Sequence, residues 1–265
     1  WGVDKYDYVG WDFNEFKQVF NNWHQALGEQ GWVSPFLDNH DFSRMVSRWG
    51  NDGEYRVQSA KLLATLILTL RGTPSIYMGS EIGMTNVAFD SIEDYDDVET
   101  RNAYQAYKAA GKDMDKFMKA VHHQSRDNVR TPIQWDATEH AGFTTGTPWI
   151  KVNPNYPSIN AEAVLADTNS IFYYYQNMLT VRRMHKTLVY GDFELIDQGS
   201  DQLFAYRRWD EQGEFFVYLN FSETELRTLP RPQNKYLELV IANYEGAEDH
   251  ELILRPWEAR VYRVG

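Results

Sequence analysis

The chain has 265 residues, 38 acidic against 26 basic, and its net charge of −12 repels nucleic acid and anionic membrane rather than recruiting them. Its 43% hydrophobic content suffices for one large domain or two smaller ones. Cysteine is absent, which excludes disulfides and thiolate metal sites and leads us to expect a cytoplasmic protein.

The longest apolar run, Leu62 to Leu70, is broken by threonines and falls far short of the ~20 residues of a membrane span. A chain beginning at Trp1 shows no signal peptide and is expected to have lost its natural start. The 9 Trp and 17 Tyr suit stacking on sugars as well as ordinary core packing.

Asp12 can cap a helix in which Phe16, Val19, Phe20, Trp23 and Leu27 keep helical spacing, with Gly28 and Gly31 marking its end. The apolar run Trp32-Val33-Ser34-Pro35-Phe36-Leu37 then stops in Asp38-Asn39-His40-Asp41. It reads as a buried parallel strand that delivers polar side chains to the rim of a sheet. A loop with Arg44 and Arg48 follows, and Tyr55 to Leu70 reads as a helix buried on most sides. After the turn Arg71-Gly72-Thr73-Pro74, Ser75-Ile76-Tyr77-Met78 is a second short strand ending at Gly79-Ser80-Glu81. Helix, strand, helix, strand with tight turns is the pattern of a parallel sheet wrapped by helices, and two strands alone are only a piece of one.

Residues 85–150 form a long excursion with a helix from Asp113 to His123, and excursions of this length are more often functional than filler. Asp167 to His185 is another helix, capped by Asp167 or Asn169. From Gly191 the period changes to two. Six candidate strands (193–196, 203–207, 215–219, 236–240, Leu252-Ile253-Leu254 and 259–262) predict an antiparallel β-sandwich domain.

Four motifs in order make the chain specific. They are Phe36-Leu37-Asp38-Asn39-His40-Asp41, then residues 72–84 from Gly72-Thr73-Pro74 to Gly83-Met84, then Ser125-Arg126-Asp127-Asn128-Val129-Arg130-Thr131-Pro132-Ile133-Gln134-Trp135-Asp136, and finally Arg255-Pro256-Trp257-Glu258-Ala259-Arg260-Val261-Tyr262. Together they resemble the α-amylase superfamily of glycoside hydrolases, in its oligo-1,6-glucosidase, dextran glucosidase and α-glucosidase branch.

The resemblance implies an α/β plus all-β protein. Residues 1–187 would be the last quarter of a (β/α)8 TIM barrel, with strands seven and eight at Phe36-Leu37 and Ser75–Met78, and residues 188–265 the β-sandwich C-terminal domain. It further implies that Asp41 is the third catalytic carboxylate, gripping hydroxyls of the sugar before the scissile bond, and that His40 donates to the same sugar. Asn39 opens the motif, and Arg130 closes the pocket around the non-reducing end. A retaining glycosidase needs a carboxylate nucleophile and a carboxylic acid about 5 Å apart. In the family both lie on earlier strands, upstream of Trp1, as does the family's calcium site; no cofactor is expected in this stretch. The expected protein is the C-terminal portion of a retaining α-glucosidase acting on gluco-oligosaccharides, inactive alone and prone to self-association or to pairing with the missing barrel segment.

Trehalose-6-phosphate hydrolases and sucrose isomerases share these motifs. Two readings of other kinds stand beside them: a metal site of Asp38, His40 and Asp41 completed by His122 and His123, and a sugar-binding or interaction module in the sandwich. The resemblance would let Trp135, Phe143 and Trp149 line acceptor subsites and the carboxylates from Glu93 to Glu99 touch the acceptor sugar. The bland fates are packing beneath the excursion for those rings, a solvated run for those carboxylates, a solvated helix end for His122 and His123, a loop-ordering role for Glu81, and a loop-carboxylate partner or a plain surface charge for Arg126.

Overall fold

In the computed structural model, which describes residues 5–28, 30–197, 199–227, 230, 232, 235–247 and 253–265, Asp12 starts the first helix as expected. Its carboxylate accepts the Glu15 amide at 2.7 Å, and α1 (Phe13–Leu27) ends where Gly28 adopts a φ of 45°. The helices α2 (Met45–Trp49), α3 (Arg56–Thr69), α4 (Val98–Ala109), α5 (Met114–Gln124), α6 (Asp127–Arg130), α7 (Ala161–Ala166), α8 (Ile171–Met184) and α9 (Thr187–Tyr190) follow. Then come strands β1 (Asp192–Leu195), β2 (Leu203–Asp210), β3 (Gly213–Asn220), β4 (Leu237–Ala242) and β5 (Ala259–Val264). Apolar spacing anticipates α1, α3, α5 and α8. It misses α4, in which Thr100 is buried and the packing face is made by the partly buried Ala103, Tyr104 and Tyr107.

The chain divides into two compact units: a site unit of Trp1–Trp11, Asp38–Asp52 and Ile76–Tyr173, and a sheet unit of Asp12–Leu37, Gly53–Ser75 and Tyr174–Gly265.

No regular strand forms at the expected barrel strands, Phe36-Leu37 and residues 75–78, and Phe36 is 44% exposed, not buried. In the sheet unit residues 33–35 pair with 73–75, but not as a regular ladder. Val33 O accepts Thr73 N and Pro35 O accepts Ser75 N, both at 2.9 Å. A parallel ladder would return a bond from residue 35 to Thr73 O, and Pro35 has no N–H to give. Ser34 Oγ–H donates to Thr73 O instead, at 3.1 Å. The pairing is therefore kept by carbonyls of one segment and a hydroxyl substitute. Gly72, at φ 115°, is required beside it, since a Cβ there would lie 2.1 Å from Val33 O.

The strands expected to form the sandwich make, among the described residues, a five-stranded antiparallel sheet in the order β1-β2-β3-β5-β4, with an isolated bridge between Leu226 and Leu254. Of the remaining candidate strand, Leu252 lies outside the described residues. Both faces of β2 are covered, because one face carries Leu203 and Ala205 against Phe216, Tyr218, Leu254 and Tyr262. The other packs on helices: the Phe204 ring lies 5.9 Å from Phe20, and Tyr206 and Thr69 join their hydroxyls at 2.5 Å. Next along this face is Arg208, fully buried, whose guanidinium donates to the carbonyls of Thr69, Thr187, Leu188, Gly191 and Asp192. One side chain thus serves five carbonyls at the ends of α3, α9 and their connections. Leu188 O also accepts from Arg182 and Thr187 O from the Gly191 amide, so Arg208 adds to these bonds and serves the remaining carbonyls.

The site unit has little regular sheet. Its apolar core is Tyr6, Val87, Phe89, Tyr95, Phe117, Val121 and Ile150, and buried polar side chains hold its loops. Asn128 accepts the Val87 amide at 3.0 Å and donates to His122 O at 3.1 Å. Asn86 accepts the Arg44 amide at 2.9 Å and donates to the carbonyls of His122 and His123 at 3.2 Å. One Asp127 oxygen accepts the amides of Asp96 and Asp97 at 2.7 and 2.9 Å, while burial pushes its carboxyl above the ordinary range.

Candidate functional site

Asn39 builds the turn that presents the site. Its Oδ1 accepts the amides of Asp41 and Phe42 at 2.8 and 3.1 Å, a side-chain mimic of a backbone turn that leaves His40 and Asp41 facing solvent. The His40 side chain is 73% exposed and that of Asp41 46%, so both remain open to a ligand.

Asp41 is nevertheless fixed. Its Oδ1 lies 3.1 Å from Arg130 Nη2, which donates to it, and its Oδ2 lies 3.2 Å from His40 Nε2. Arg130 also donates Nε–H to the His40 carbonyl at 3.1 Å, so one guanidinium holds the side chain of one residue and the backbone of its neighbour. Arg126, four positions before Arg130 and therefore on the same side of the short helical turn, places Nη1 3.6 Å from the same Oδ1.

Arg126 is itself held by Asp97. The Asp97 carboxylate accepts Nε–H at 3.1 Å and Nη2–H at 2.6 Å in the bidentate geometry that makes such pairs strong, and it also caps α4 through the Glu99 amide. Burial raises the Asp97 carboxyl, but the bonds from Arg126 outweigh it and leave the group below its usual range; the same bonds hold the Arg126 guanidinium above its ordinary value. Glu99 completes the cluster, 2.8 Å from Lys5 Nζ and 3.6 Å from Arg126 Nε. Three cations thus face three carboxylates. The balance suits an uncharged polyol, with carboxylate acceptors and guanidinium and imidazole donors presented together.

The structure brings together the four residues singled out in the sequence, Asn39, His40, Asp41 and Arg130. Arg126 finds its loop carboxylate, and Glu81 orders its own loop by accepting the Gly79 amide at 2.8 Å. Asp97 is the residue that sequence reasoning missed, hidden in an acidic run expected to be solvated. The available signal was its place before Val98-Glu99-Thr100, a helix-capping position, and it is only 3% exposed.

Other expectations are corrected. Trp135, Phe143 and Trp149 are 53%, 43% and 58% exposed rather than packed beneath the excursion. The chain between the first two turns through His140 and Ala141, both left-handed at φ 55° and 58°, with Ala141 O accepting the Trp135 amide. The solvated helix end is half-buried: His122 Nε2 meets Phe89 O at 3.0 Å and His123 stacks on Tyr8 at 4.0 Å. The metal alternative loses its ligands as well. Asp38 is buried and bonded to the Met45 amide and Ser80 hydroxyl, apart from exposed His40 and Asp41, and no group of three ligands is placed for a metal among the described residues.

Residues 3–191 match the family model described as alpha amylase, catalytic domain. The oligo-1,6-glucosidase of Parageobacillus thermoglucosidasius is 47% identical across 98% of this chain and 47% of its own length. The trehalose-6-phosphate hydrolase of Bacillus subtilis is 44% identical across 98% and 48%. Among solved structures, the trehalose-6-phosphate hydrolase of Bacillus licheniformis superposes with a TM-score of 0.94 at 39% identity, covering 99% of this chain and 48% of that one. The isomaltulose synthase of a Klebsiella species gives 0.93 at 38%, covering 98% and 48%. The chain therefore spans about half the length of the relatives it matches. Motif order, site geometry and these likenesses agree that the chain belongs to the α-amylase family of glycoside hydrolases.

Proposed function

We propose that the chain is the sugar-gripping C-terminal portion of a retaining α-glucosidase that acts on short gluco-oligosaccharides. The observation that carries this reading is Asp41, exposed yet fixed through one oxygen by Arg130 and flanked through the other by His40. A carboxylate held this way is ready to accept hydroxyls of a glucosyl ring. Contacts that strengthen as the ring flattens toward an oxocarbenium ion lower the barrier rather than merely tighten binding. Arg130 bounds the pocket. On this reading residues 1–187 contribute the barrel and 188–265 the C-terminal domain, while the nucleophile and the acid belong to chain preceding Trp1.

An uncharged substrate is favoured over a phosphorylated one. Lys5, Arg126 and Arg130 each already face Glu99, Asp97 or Asp41, so a phosphate dianion would have to compete with carboxylates for them.

Calorimetric and NMR titration of the 265-residue chain with isomaltose tests the reading. We expect a dissociation constant on the order of 1 mM, weakened about tenfold or more by Asp41→Asn. Shifts confined to residues 188–265, or no binding at all, would sink it in favour of a separate module. A coding sequence before Trp1 that lacked an Asp and a Glu on preceding strand ends would end the glucosidase reading.

A further inference from the structure

We propose that Arg44 is a positioning residue that sets where Arg130 stands against Asp41. This rests on the sugar-site reading above, because the position matters only if Asp41 and Arg130 form the grip. Arg44 is fully buried, three residues past Asp41, and touches neither Asp41 nor the solvent-facing edge through any bond described here. Its guanidinium spans two other segments instead. Nε–H donates to Asn128 O at 3.1 Å, Nη2–H to Val129 O at 3.4 Å and Nη1–H to Met78 O at 2.6 Å, while its own amide donates to Asn86 Oδ1 at 2.9 Å.

Asn128 and Val129 immediately precede Arg130. Their carbonyls lie at the end of the four-residue helix α6, where no further turn supplies donors. Arg44 supplies them from the segment that carries Asp41. A planar fork with fixed N–H directions constrains both distance and orientation, so two side chains that must meet are referenced to one rigid group. Tyr77 adds a second donor, its hydroxyl reaching Val129 O at 3.2 Å, and the Arg44 guanidinium lies over its ring at 5.6 Å. The space is closed around the fork: Gly79 sits at φ 91°, and a Cβ there would fall 2.8 Å from Arg44 Nη1. Asp38, buried nearby, balances the charge without taking the fork's directions, since its oxygens accept from Met45 and Ser80.

The test compares the wild-type chain with Arg44→Lys, which keeps the charge but not the planar fork, and with the milder Tyr77→Phe. The local readout is hydrogen exchange of the Arg130 Nε–H, which is bonded to the His40 carbonyl. We expect exchange about tenfold faster in Arg44→Lys and about threefold faster in Tyr77→Phe, with the amides of β2 and β3 unchanged and isomaltose affinity reduced in step. A merely structural role would lower thermal stability and leave folded-state Arg130 exchange and sugar affinity at wild-type values; that result overturns the proposal. If the wild-type chain bound no isomaltose, the sugar-site reading would fall, and an Arg130 signal still dependent on Arg44 would leave the positioning itself standing.

Discussion

The sheet unit and the site unit solve the same problem, satisfying buried backbone groups, by opposite means. In the sheet unit strand ladders do most of it, and the exceptions at helix ends are gathered onto single arginines, as at Arg208 and at Arg182, which donates to the carbonyls of Leu68, Leu70, Gly72 and Leu188. In the site unit Asn86, Asn128, Asn153 and Asp127 each tie one loop to another, with Asn153 donating to Thr85 O at 3.0 Å. Regular pairing distributes stability, whereas side-chain clamps concentrate it while letting loops keep the irregular course that a ligand needs.

The most severe break in that contrast is Arg208→Met. It withdraws a donor from five carbonyls, of which Leu188 O keeps Arg182 and Thr187 O keeps the Gly191 amide, and we expect a loss on the order of 4 kcal/mol in urea unfolding, with protection of β2 and β3 amides falling first. A loss below about 1 kcal/mol would show that the carbonyls find other partners and that the arginine does not anchor the sheet unit.

Acid should act on both units. Burial holds His24 in the sheet unit and His123 in the site unit at about 4, below the ordinary imidazole value of 6.5, so the unfolded chain binds protons more readily between these values. The resulting stability is present above about pH 6.5 and lost as the pH falls toward 4, by up to about 3 kcal/mol per group. Urea midpoints at pH 7 and 4.5 measure it. His24→Gln should flatten the dependence for sheet-unit amides only, and a flat wild-type profile would refute the assignment.

Smaller effects separate the units further. Asn128→Ala removes an acceptor for Val87 and a donor for His122, at a cost of about 2 kcal/mol confined to site-unit amides. A uniform loss across both units would contradict the picture of local clamps. Ser34→Ala withdraws the hydroxyl that stands in for the missing Pro35 amide and should cost about 1 kcal/mol, read as faster exchange at Thr73 and Ser75. No change there would mean that water serves Thr73 O equally well.

Much of this was legible in advance because periodicity reports burial. The spacing of Phe16 and Phe20, the nearly all-apolar run of α3 and the apolar stretches of β2 and β3, covered on both faces, are all set by which faces are buried. The Asn39-His40-Asp41 turn stood out for a different reason: a polar tip on an apolar run is as readily an ordinary loop, and only the resemblance carried by the four motifs in order set it apart. Asp97 was hidden because a capping carboxylate in an acidic run looks like its solvated neighbours until a distant arginine arrives. The irregular pairing at Pro35 was written in the sequence as a missing N–H, yet its remedy, one hydroxyl a residue earlier, depends on geometry that pattern alone does not carry.

The alternation along β2 has a consequence for how the chain finds its pairing. Ala205 and Arg207 point one way and Tyr206 and Arg208 the other, and the surroundings are not interchangeable: Ala205 meets hydrocarbon and Arg207 the carboxylates of Glu194 and Glu214, whereas Arg208 meets a ring of carbonyls. Sliding β2 by one residue would offer the carbonyl ring either Trp209, with a single N–H, or Arg207, taken from the carboxylates of Glu194 and Glu214, and would set the ring of Phe204 or Tyr206 where Ala205 packs. Leu203 to Tyr206 are all buried, so this stretch has no solvent face to reject such a slip by hydrophobicity. Arg208 supplies the missing discrimination, acting as a key that turns in only one alignment of the strands.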